Sequence, residues 1–290
     1  MALWVRNVTR STATPPPPAP AGNVYEQLVQ NGKRVSGKLP QTADYQKADI
    51  EDLKSSIRAT ETVLKDTRAL FSKPSQVLLI FNMDMSEMLE RQGGLRNLGR
   101  LFSIEAEIAS RENRPDDAAN ALLDQVRFAT MMDNDGLLID TLVAVALESG
   151  AERNLLKLAK SLSREQCTNA IKLLSDIDRN RDPIEKVFNT ENYWFERTTP
   201  LYYQFMMKLN GSFAQLRKPA ETAAKASQQR VKIECRQTIV DLAAQLYFLD
   251  NNKLPEDAKD LVPKYLPELL KMPGGEESTI QPTMQVGVQK

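Results

Sequence analysis

The chain contains no histidine. That absence excludes Ser-His-Asp and Cys-His catalysis, and every histidine-ligated metal site. Cysteine is almost as scarce, with Cys167 and Cys235 the only 2 in 290 residues. They are too few for a zinc site built on cysteine alone. They pair only if their helices meet at the right Cα separation; otherwise they read as small buried thiols. Neither sign of charge dominates, because 38 basic residues balance 38 acidic ones. No overall field therefore favours nucleic acid or an anionic membrane. No apolar run reaches the roughly 18 residues that a membrane-spanning helix needs. The opening MALWVRNVTR lacks the apolar stretch of a signal peptide, so with Met1 as the start the chain reads as soluble and cytoplasmic. The phosphate-cradling G-x-x-x-x-G-K-[ST], the dinucleotide-binding G-x-G-x-x-G and the nucleophile elbow G-x-S-x-G are all missing.

What is present is helical pattern. Residues 1–22 hold TATPPPPAPAG, a polyproline stretch that reads as a disordered, semi-rigid spacer or as a ligand for a proline-recognition domain. A single all-helical domain is expected over 23–271, and a disordered tail over 272–290. Asn23 is placed to cap a short helix, NVYEQLVQNGKRV. Residues 44–71 carry a narrow apolar stripe, Ile50, Leu53, Ile57, Val63, Leu64 and Leu70. VLLIF, at 77–81, reads as a buried connection, and a helix restarts at about Gly94. RPDD then turns the chain, with Pro115 suited to a first helical turn and two aspartates beside the helix N-terminus.

Further on, LLIDTLVAVALES is apolar nearly all round and reads as a central buried helix. Ser163 and Gln166 have capping-box spacing, and Asp182, Pro183 and Glu185 give a second start signal. A long helix is expected over 220–252, ended by a left-handed Asn251 or Asn252. The fold class is therefore all-α. The expected form is an irregular array of antiparallel helical hairpins, tetratricopeptide-like or α-solenoid-like, with a long C-terminal helix and a fold-back.

Carboxylates are the acid–base candidates that remain. Asp140 interrupts an apolar helix, Glu148 follows near the same face, and Glu105 and Glu107 lie on the preceding helix. One reading is a paired-carboxylate site for acid–base or metal chemistry. The plainer one is a buried polar seam, with Asp140 paired to an arginine such as Arg100 or Arg127. DNDG at 133–136 resembles half of a calcium loop, without its later acidic ligand, or a plain turn into a helix. The stretch YWFERTTPLYYQF makes Tyr193, Trp194, Phe195, Tyr202 and Tyr203 candidates for an interaction surface, or for packing at a helix junction. No catalytic residue, metal or cofactor is assigned.

PPPPAPAGNVYEQLVQNGK, GLRNLGRLFSIEAEIASRENRPDDAANALLDQVRFATMM, LLIDTLVAVALES and LAAQLYFLDNNKLPEDAKDLVPKYLPEL together cover most of the chain. In these stretches it resembles uncharacterised helical-hairpin envelope proteins of planctomycete-type bacteria. The last stretch is also similar to the segment that follows the long N-terminal helix in major pseudopilins of type II secretion systems. The membrane anchor typical of the group and the pilin assembly helix are both missing from this sequence. The resemblance implies an extracytoplasmic, envelope-associated address, with tethering through a segment upstream of Met1. It also implies a non-enzymatic scaffold with a protein partner. An accessory role in a pseudopilin-type secretion system and a carboxylate-based hydrolase or metal enzyme are the alternatives.

Overall fold

The computed structural model describes residues 13–35, 39, 45, 47–82, 84–200, 212–273 and 278–283, except the side chains of residues 85 and 212–217. Among them the chain forms eight α-helices and no named strand. They are α1 (Tyr25–Val35), α2 (Ile50–Arg68), α3 (Met85–Arg111), α4 (Pro115–Asp133), α5 (Leu138–Leu158), α6 (Arg164–Asn180), α7 (Ile184–Thr198) and α8 (Ser212–Asn251). Single 3₁₀ turns follow at Ala159–Ser161 and Ala258–Leu261.

Helices α3, α4 and α5 pack in succession and carry both large apolar clusters. One cluster joins α1 and α2 to α3 around Tyr25, Leu95, Leu98 and Phe102. The other joins α4 and α5 to α6 and α8 around Leu122, Leu155, Leu174 and Ile239. No helix among the described residues is long and apolar enough to cross a membrane.

Local signals account for several helix ends. The Ser163 side chain accepts from the Gln166 amide, and Pro115 occupies the first turn of α4. Asn252 has φ 53°, the left-handed conformation that ends α8. Asn23 does more than cap α1: its Oδ1 accepts from Tyr25 N and Gln76 N, and its Nδ2 donates to Gln76 O. The start signal at Asp182 is displaced by one residue. Pro183 is the cap, and Asp182 instead accepts from Lys186 Nζ at 2.7 Å.

Four expectations need correction. α3 starts at Met85, well before Gly94, because the glycine pair there does not break the helix. A Cβ on Gly32 would sit 2.7 Å from the Gly94 carbonyl carbon, so the small residues let α1 cross α3 backbone to backbone. The VLLIF connection is buried only at its start: Val77 is covered, while Leu78 and Phe81 are exposed. The proline segment does not hang free. Thr14 exchanges backbone hydrogen bonds with the Asn189 side chain, and Pro17 O accepts from Gln76 Nε2 at 2.8 Å. The polar tail also returns to the body, where Ile280 is buried and Thr283 donates to Asp241 through N and Oγ1.

Candidate functional site

Asp140 stands at the third position of α5, where DNDG has just turned the chain. Asp135 has φ 57°, and a Cβ on Gly136 would meet Asp140 Cβ at 2.8 Å. DNDG thus works as a tight turn into the helix. Asp140 Oδ2 accepts from Leu137 N at 2.8 Å, while Oδ1 accepts from Gln92 Nε2 on α3 and, at 3.3 Å, from the Tyr25 hydroxyl on α1. One buried carboxylate therefore ties three helices. Burial pushes its carboxyl up to about 6, and the donors from Leu137, Gln92 and Tyr25 hold it down from a higher value. Neither expected arginine is its partner. The Arg100 guanidinium lies over the Tyr45 ring, and Arg127 Nη1 donates to Asp124 at 2.8 Å.

The other three candidate carboxylates occupy different settings. Glu105 pairs with Arg68, which also reaches Asp124 at 2.7 Å. Glu107 accepts from Arg111 one turn along α3, at 2.7 Å. Glu148 is buried on α5 and takes both terminal nitrogens of Arg181, one of them at 2.9 Å. Asp140, Glu105, Glu107 and Glu148 therefore do not share a pocket.

A cleft of about 300 Å³ does open beside Glu148. Asp133, Asp135, Thr141, Arg181 and Lys186 stand on its wall. Thr141 Oγ1 donates to Asp133 Oδ1 at 2.6 Å, and Lys186 Nζ bridges Asp135 and Asp182, at 2.7 Å to each. Burial pushes the Asp133 carboxyl up to about 7; the Thr141 hydroxyl opposes this, and the like charges of Asp140 and Glu148 add to it. The charged groups of this cleft are tied largely to one another.

Tyr193, Trp194 and Phe195 are half-buried on α7. Trp194 Nε1 donates to Ile80 O at 2.9 Å, and Tyr193 meets Phe81 edge-on with centroids 6.2 Å apart. The Arg197 guanidinium covers the Tyr193 ring at 3.4 Å. Phe195 lines a separate hollow with Leu138 and Phe188. Tyr202 and Tyr203 lie outside the described residues. The segment beneath Trp194 leaves Leu78 40% and Phe81 42% exposed, and Leu89 on α3 is 54% exposed.

Sequence reasoning passed over Glu152, Arg181 and Cys235. Glu152 is one turn after Glu148 on α5, fully buried, and neither carboxylate oxygen has a hydrogen-bond partner of ordinary geometry. Burial and the neighbouring Glu148 charge hold its carboxyl well above the usual range, while the adjacent Cys235 thiol, a weak donor, pulls the other way. The spacing of Glu152 from Glu148 was the signal that could have found it. Cys167 and Cys235 are both free and buried.

No protein-family model matches the chain, and neither does any curated protein or solved structure.

Proposed function

We propose that the protein is a non-enzymatic helical scaffold, a protein-interaction module associated with the bacterial cell envelope. One observation carries this reading: a half-buried aromatic and aliphatic face where the 77–81 connection meets α7. Leu78 and Phe81 are exposed beside Tyr193 and Trp194. Aromatic anchors in partly formed hollows are the residues that dominate protein–protein binding energy. Such a patch on a water-exposed surface is a recognised mark of an interaction site.

The separate settings of Asp140, Glu105, Glu107 and Glu148 support a role without catalysis. The hairpin array belongs to the same proposal. Short turns join α3 to α4 and α4 to α5, these three helices pack in succession, and α8 covers α5 and α6. The envelope address rests on the family resemblance alone. The fold-back adds nothing to the pseudopilin-accessory reading, because its polar groups are used in closing α8. Asp250 accepts from Arg164, from Lys264 Nζ at 2.7 Å and from the Tyr265 hydroxyl at 2.7 Å.

The test is site-specific photocrosslinking in cells. A photoreactive residue at Phe81 is expected to give a discrete protein adduct that Tyr193→Asp abolishes. The same residue at the exposed Lys172 is expected to give none. Equal adducts from both positions, or none from Phe81, would refute the interaction face.

A further inference from the structure

We infer that Glu148, Glu152 and Cys235 supply three ligands of a buried site for a divalent cation of borderline softness, with zinc the best match and a water completing its shell. Helix α5 supplies the two carboxylates one turn apart, so both point the same way. Helix α8 brings the thiol against them. One donor atom from each residue lies within 4.8 Å of the other two. Tetrahedral zinc holds such ligands about 3.5 Å apart, a contraction within reach of side-chain rotation.

An independent observation points to a missing partner. Glu152 is 1% exposed, neither of its oxygens has a hydrogen-bond partner of ordinary geometry beyond the weak Cys235 thiol, and one of them is aimed at this cluster. Buried carboxylates are ordinarily paired, hydrogen-bonded or bound to a metal. Asp140, on the same helix, shows what full satisfaction looks like here. Asp178 and Glu234 also face the cluster, each with one buried oxygen left over, but Arg236 pairs with Asp178 at 2.8 Å and Arg153 with Glu234 at 3.5 Å, so their charges are already balanced.

The charges can be balanced group by group. Arg181 neutralises Glu148 through a two-pronged contact and would serve as the outer group that orients this ligand. A carboxyl and a thiol remain. A divalent cation displaces one proton from each, both protons pass to solvent, and carboxylate, thiolate and cation then sum to zero. The thiolate disfavours magnesium and calcium, whereas a mixed sulfur and carboxylate set suits zinc. Cys235 Sγ is 3.8 Å from Leu174 O, a weak contact that ligation would give up. The bound ion would pin α8 to α5 and, through Arg181, to the connection between α6 and α7.

The test uses the full chain, unfolded in chelator and refolded with or without zinc, then dialysed against zinc-free buffer. Elemental analysis is expected to find one zinc per chain in the native sequence, and none retained in Glu152→Gln or in Cys235→Ser. Cadmium in place of zinc is expected to give an ultraviolet thiolate-to-metal charge-transfer band that Cys235→Ser removes. Zinc that dialyses away, or equal zinc in both variants, overturns the site. If either variant fails to fold, the cadmium band of the native protein decides, and its absence overturns the site. Partner crosslinking at Phe81 is read independently, so either proposal can fail without the other.

Discussion

Two buried carboxylates on α5 have opposite fates. Asp140, at the start of the helix, accepts from a backbone amide, a glutamine and a tyrosine brought by three different segments. Glu152, further along, is as deeply buried and accepts from no amide or hydroxyl, with only the weak Cys235 thiol beside it. Burial alone therefore says little about function. A buried acid with its donors in place is a fastener between helices, while one without them must hold a proton or a cation. The first region explains how α1, α3 and α5 are locked together. The second is where the chain has chemistry left over.

The largest expected effect comes from breaking the satisfied end. Asp140→Ala leaves a tyrosine hydroxyl, a glutamine amide and the Leu137 N–H without their acceptor, at a cost of roughly 3–5 kcal/mol in unfolding free energy, measured by urea denaturation. Asp140→Asn keeps an acceptor and is expected to cost less than half of that. Next comes zinc itself. At a thousandfold excess over its dissociation constant it is expected to stabilise the native chain by about 4 kcal/mol, and Glu152→Gln by none.

A smaller effect is expected at Asp133, whose carboxyl is raised from 3.8 to about 7. A raised acid binds its proton more tightly in the folded state, so stability falls as pH climbs from about 4 through 7. Asp133→Asn removes that loss. Because Asp133 is only part-buried at the cleft, the gain is discounted to about 2 kcal/mol at pH 8; near pH 4 it vanishes. Thermal unfolding at the two pH values checks it. The smallest effect is the control on the same helix. Leu142 is 42% exposed, and Leu142→Ser is expected to stay within about 0.5 kcal/mol.

Local chemistry made part of this fold legible in advance. The all-α class, the Ser163 cap, Pro115 in a first turn and the left-handed Asn252 each depend on residues within one turn of one another. Apart from the cap that moved one residue from Asp182 to Pro183, the misreadings were long-range. Gly93 and Gly94 look like a break until Gly32 is seen crossing there. Ile280 looks stranded in a polar tail until it reaches the core, with the adjoining residues 281 and 283 bonded to α8. Asp140 was recognisable as a buried acid because it interrupts apolar text. Its partners Tyr25 and Gln92 were not, since chain closure alone brings them near. Glu152 sits among charged residues and reads as solvent-facing. Only its spacing from Glu148 hints otherwise, and the thiol that completes the cluster comes from α8.

The most direct test of the contrast is zinc content measured side by side in the native chain, Asp140→Asn and Glu152→Gln, each refolded from chelator and dialysed identically. The account predicts one zinc per chain in the first two and none in the third. Zinc in all three, or in none, would contradict it.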